Sequence, residues 1–108
     1  MNIKEYQNKV TRTLRKNVLI TELEKEMCLG LIGEVGEVIE IIKKYLYHNH
    51  QLDKEHLKEE IGDVCWYLCN LATITHIDMN DVLINNIDKL MERYPEGFSV
   101  TKSINREK

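Results

Sequence analysis

The sequence predicts an all-α protein, and three observations carry that reading. Apolar residues recur at steps of three and four over most of the chain, the period of a buried helical stripe. There is one proline in 108 residues, so little interrupts a helix. No β-type alternation is long enough to compete. With 43% hydrophobic and 31% charged residues, the chain has the composition of a folded globular protein. At 12.8 kDa it can bury a real core as one domain over residues 1–108.

A first helix is expected from about Ile3 to Lys16, with Asn2 as its cap and Lys4, Lys9, Arg12, Arg15 and Lys16 spread around it. For the second, Thr21 followed by Glu24 is a capping-box signature, and Leu23, Met27, Leu31, Val35, Val38, Ile42 and Leu46 form the apolar stripe. It ends at the polar connection "YLYHNHQL", where Asn49 suits a turn. Asp53 can cap a third helix with the stripe Leu57, Ile61, Val64, Leu68 and Leu71. A fourth begins after Asn80 or Asp81, carries Val82, Leu83, Ile87, Leu90 and Met91, and stops at Tyr94 and Pro95. From about Gly97 to Lys108 a short polar tail follows, loose or packed on a partner. Four amphipathic helices joined by short connections make a four-helix bundle the expected architecture.

Charge excludes little: 18 acidic and 15 basic residues leave a net −3. No apolar run approaches a membrane span, and "MNIKEYQNKV" lacks a signal-peptide core, so a cytoplasmic protein without a membrane partner is expected. Cys28, Cys65 and Cys69 are odd in number and lie in apolar helical contexts, which favours buried free thiols. The basic first helix lacks any accompanying base-reading motif, so a nucleic-acid partner is not expected.

The informative stretch is "LGLIGEVGEVIE", Leu29 to Glu40. Glycine in a helix interior costs roughly 1 kcal/mol relative to alanine, so Gly30, Gly33 and Gly36 suggest close backbone approach. Glu34 and Glu37 are three apart on one side of the same helix, and Glu60 and Asp63 repeat that spacing in "EEIGDVCWYL" beside Gly62. Packing the two helices together brings four carboxylates to one cleft. They cannot all ionise there without compensation, and a divalent cation supplies it. Oxygen-only ligands favour a hard ion, magnesium or alternatively manganese. The bland alternative is a solvated acidic face; its weight falls because two such pairs occur in adjacent predicted helices.

On the fourth helix Asn86, Lys89 and Arg93 form one polar stripe that suits phosphate oxygens. A solvated face salt-bridged to Asp88 or Glu92 is the competing reading. Trp66, Tyr67 and Tyr94 can stack on a base, although aromatics beside an apolar stripe are more often core. A zinc site built on Cys65 and Cys69 would need convergent ligands such as Cys28 or His76, and nothing requires one. His48, His50 and His56 cluster around a polar connection without a catalytic partner pattern, and "HNH" between two long helices does not make a nuclease. There is no P-loop or Rossmann fingerprint.

Together "GEVGEVIE", "EEIGDVCWYL" and "VLINNIDKLMERYPEGF" resemble the MazG-like members of the all-alpha nucleoside triphosphate pyrophosphatase superfamily, over roughly Glu22 to Phe98. That resemblance implies a MazG-like helical bundle and magnesium-dependent hydrolysis of a nucleoside or deoxynucleoside triphosphate to monophosphate and pyrophosphate. It assigns Glu34, Glu37, Glu60 and Asp63 to the metal and to catalysis, one glutamate accepting a proton from attacking water. Lys89 matches the lysine of the family's fourth-helix motif and Arg93 opens its "RYP" segment, which implies phosphate contact, with Asn86 beside them. It also implies a homodimer or homotetramer whose cleft is completed at a subunit contact. Gln7 and Arg12 are first-helix candidates for the nucleotide pocket. Many relatives carry a tryptophan near the end of that helix, where this chain has "RKNVL". The alternative function is a noncatalytic helical nucleotide-binding or interaction protein that retains the fold.

Overall fold

The computed structural model describes residues 1–105. Five helices follow one another: α1 (Ile3–Thr11), α2 (Ile20–Tyr47), α3 (Lys54–Ile74), α4 (Met79–Arg93) and α5 (Val100–Ile104). The chain is an all-α, multi-helix bundle. Its spine is the antiparallel pair α2–α3, on which α1 packs through α3; the principal contact of α4 is with α1.

The caps follow the chemistry of short polar side chains. Asn2 accepts from the Glu5 amide at 2.9 Å and Asp53 from the His56 amide at 3.1 Å, each stabilising its helix by about 1 kcal/mol. The expected Thr21 cap is corrected. α2 starts two residues earlier than a Thr21 cap implies, at Ile20 with Leu19 as the cap residue, because the Leu19 carbonyl already accepts from the Glu22 and Leu23 amides; no side chain caps that end. Helix α1 stops at Thr11 rather than Lys16, and Asn17 adopts a positive φ of 59° in the connection that follows. Helix α4 begins at Met79, capped by Asp78 rather than by Asn80 or Asp81. The chain turns at Asn49 with φ of 58°. In the expected tail Ser99 caps a short helix, α5, over Val100–Ile104; Arg106 to Lys108 lie outside the described residues.

The core lies at one end of the spine, where Leu23 and Met27 of α2 meet Ile74 of α3, with Leu14, Val18, Trp66, Tyr67 and Leu71 packed around them. Trp66 donates its indole N–H to Thr13 Oγ1 at 2.7 Å and meets Tyr67 edge to face at 4.8 Å. These two rings belong to the core side of α3. Gly30 explains itself here: a Cβ at that position would overlap the Tyr67 ring. Within the chain the expectation of close approach does not hold for Gly33 and Gly36, where a Cβ would meet nothing; Gly62 is equally open.

Gln7, buried on α1, is a clamp. Its amide donates to Thr73 Oγ1 at 3.0 Å and to the Ile77 carbonyl at 2.9 Å, and its oxygen accepts from the Met79 amide at 2.9 Å. Those bonds tie α1 to the α3–α4 turn and use all but one lone pair of its hydrogen-bonding capacity, so Gln7 serves the fold.

Several stripe residues are exposed. Val35, Leu46, Ile61 and Leu68 face outward, as do Leu29, Ile32 and Ile39 of α2, and α4 buries none of its residues. Cys28 and Cys65 are exposed free thiols, which corrects the expectation that all three are buried; only Cys69 is. Burial pushes the Cys69 thiol up from its ordinary pKa, which keeps it in the less reactive protonated form.

Candidate metal centre

The acidic residues come together because α2 and α3 run antiparallel. Moving along the pair away from the core, Gly30 lies against Tyr67, then Glu34 against Glu60 and Asp63, then Glu37 against His56 and Glu60. The i,i+3 spacing turns each pair of acids toward the facing helix.

Two groups of ligand atoms result. One oxygen each from Glu34, Glu60 and Asp63 lie within 4.8 Å of one another; so do one atom each from Glu37, His56 and Glu60. Glu60 is common to both. Its side chain is 13% exposed, and its Oε2 is buried without a hydrogen-bond partner, an arrangement that costs free energy unless something else occupies that oxygen. Its Oε1 lies 3.4 Å from His56 Nε2.

Electrostatics at the cleft follow from crowding. The Glu60 carboxyl facing Glu34, partial desolvation, and the charges of Glu60, Asp63 and Glu37 push the Glu34 pKa up to about 7. Without a cation the carboxylates relieve their repulsion by keeping a proton. An orphaned oxygen and a retained proton among oxygen donors are the features that a divalent cation would replace. The residues present therefore fit magnesium or manganese. Among the described residues no cysteine joins a group able to hold a metal.

A cavity of about 190 Å³ opens beside this centre, bordered by Glu37, Glu40, Lys44, His50, Asp53 and His56. Asn86 and Lys89 are exposed on α4 and Arg93 is half-buried at its end. The structure does not group this stripe with the acids. Among the described residues neither Lys89 nor Arg93 forms an ion pair, so the competing pairing with Asp88 or Glu92 is not made.

His56 is the member that sequence reasoning set aside. Its place four residues before Glu60 was the available signal, since that interval puts both side chains on one helical face; the neighbouring His48 and His50 disguised it as part of a polar loop.

A profile of the MazG nucleotide pyrophosphohydrolase domain matches residues 22–98, which include all four acids, the whole of α3 and all but the first two residues of α2. The chain belongs to the MazG nucleotide pyrophosphohydrolase family. The chain is similar to the Gene 37 protein of Mycobacterium phage L5, 33% identical over 82 residues that span 72% of each chain. The dCTP pyrophosphatases 1 of Mus musculus and Rattus norvegicus are each 34% identical over 81 residues, 69% of this chain and 48% of theirs. The match thus spans about half the length of those two relatives. No solved structure matches it. Among the described residues no helix is long and apolar enough to cross a membrane.

Proposed function

We propose that this chain is a magnesium-dependent pyrophosphohydrolase that cleaves nucleoside or deoxynucleoside triphosphates to monophosphate and pyrophosphate, and that residues 1–108 act as one MazG-like domain. The observation that carries the reading is the pair of ligand groups meeting at Glu60, inside a domain that the family profile spans. The names of the rodent relatives make dCTP the first substrate to try.

In this reading Glu34, Glu37, Glu60 and Asp63 hold magnesium, with manganese as a substitute. When bound, the ion neutralises phosphate charge and favours an attacking water. A glutamate of the set takes the proton that water releases. Lys89 and Arg93, with Asn86 beside them, hold phosphate oxygens and stabilise the charge on the departing pyrophosphate. The protein acts in the cytoplasm as a homodimer or homotetramer, without nucleic acid or membrane. Support for assembly comes from the exposed apolar residues of α2 and from α4, whose Val82, Leu83, Ile87, Leu90 and Met91 are uncovered in one chain. A second chain that covers these faces also completes the cleft.

Alanine at Glu37 or at Asp63 tests the assignment: each variant loses hydrolysis while keeping its assembly and helical content. Full activity in both variants rejects these residues. Nucleotide binding by the wild type with no magnesium-dependent pyrophosphate release favours the noncatalytic reading.

A further inference from the structure

We infer that His56 is a metal ligand of this cleft, and that Glu37, His56 and Glu60 form a second cation position of mixed nitrogen and oxygen donors, sharing Glu60 with the all-oxygen position at Glu34, Glu60 and Asp63. This rests on the proposed metal-dependent function and deepens it, because it states which cations the cleft prefers.

Four observations converge on His56. First, its ring nitrogen and one oxygen each from Glu37 and Glu60 already lie within 4.8 Å of one another, a spacing that a single ion can bridge with bonds of about 2.0–2.2 Å. Second, the Asp53 cap at 3.1 Å fixes the His56 amide at the start of α3, so the residue sits on ordered helix rather than in the loop before it. Third, Glu60 has two oxygens with different surroundings: Oε1 faces His56 at 3.4 Å, and Oε2 is buried without a partner. A carboxylate placed between two cation positions can give one oxygen to each. Fourth, the cavity of about 190 Å³ beside Glu37 and His56 leaves room for water or a phosphate oxygen to complete the coordination of an ion there.

Nitrogen donation has a chemical consequence. Magnesium is a hard ion that prefers oxygen, whereas imidazole suits first-row transition ions, and affinity at such a site rises from manganese toward cobalt and nickel. The two positions should therefore differ: the Glu34, Glu60, Asp63 position takes magnesium or manganese alike, and the His56 position favours the transition ion. Manganese would fill both positions at concentrations where magnesium fills one.

Manganese alone, without nucleotide, is the probe. Bound Mn²⁺ is counted by electron paramagnetic resonance, and a directly bonded imidazole is detected through the electron spin-echo modulation of its ¹⁴N. The wild type is expected to bind two Mn²⁺ per chain and to show ¹⁴N modulation. His56→Ala is expected to lose that modulation and to weaken one of the two ions by at least the roughly tenfold to hundredfold that even an outer-shell partner contributes. His56→Gln keeps the helix polar at that position, guards against a folding defect, and is expected to lose the modulation too; His50→Ala should retain it.

Modulation that survives in both folded His56 variants, or its absence from a wild type that does bind Mn²⁺, overturns the inference and leaves the proposed hydrolysis standing. A wild type that hydrolyses nothing but shows the His56-dependent modulation separates the two the other way. A wild type that binds no Mn²⁺ overturns both.

Discussion

Glu34 on α2 and Glu60 on α3 bring carboxylate oxygens within 4.8 Å of each other across the helix pair, and the neighbouring Glu60 carboxyl pushes the Glu34 pKa up to about 7. The proton that Glu34 retains is one that a cation at this cleft would displace.

The first prediction concerns pH in the metal-free protein. Glu34 titrates near its ordinary 4.5 when unfolded and near 7 when folded, so between those values the native state binds the extra proton. Stability is then fully present below about pH 4.5 and falls as pH rises through 7. Urea unfolding in the presence of a chelator should show this decline, and Glu34→Gln, which mimics the protonated form, should flatten it. An identical slope in the variant would show that the proton resides elsewhere.

Magnesium should reverse that trend. A cation that binds the ionised cluster in the native state stabilises it by mass action, and the gain grows as Glu34 loses its proton. Melting temperatures measured with and without magnesium should separate more at pH 8 than at pH 5. Equal separation at both values would contradict binding at these carboxylates.

Glycine substitutions should divide into two kinds. Gly30→Ala puts a methyl group into the Tyr67 ring, and overpacking of that sort costs about 1–3 kcal/mol. Gly33→Ala meets open space and should recover up to about 1 kcal/mol of helix propensity. Denaturant midpoints decide it: equal stability of the two variants would mean that Tyr67 moves aside freely.

At Gln7 the expected loss is purely structural. Gln7→Leu removes the partner of the Met79 amide and of the Ile77 carbonyl, both partly buried, at about 1 kcal/mol for each bond lost. Manganese affinity, measured below the melting transition, should be unchanged. A weakened metal site would show that α1 supports the cleft more directly than its contacts indicate.

These cases also show what a sequence can convey. The caps at Asn2 and Asp53 were legible because a short polar side chain just before a helix has one favourable bond to make. Thr21 misled because Leu19, without a capping side chain, starts the helix through its carbonyl alone. The apolar stripes were legible as stripes, but Leu46, Ile61 and Leu68 proved exposed, since periodicity marks an apolar face and is silent on what covers it. Glu34, Glu37, Glu60 and Asp63 stood out through repeated spacing. His56 did not, because its relation to Glu37 crosses from one helix to another.

The most direct test of the central claim is product analysis. The purified protein is incubated with dCTP and a panel of other ribo- and deoxynucleoside triphosphates, with magnesium or with chelator, and the products are separated. The account predicts monophosphate and pyrophosphate in equal amounts, formed only when the metal is present. Diphosphate with free phosphate, or no turnover of any triphosphate by folded, metal-loaded protein, would contradict it.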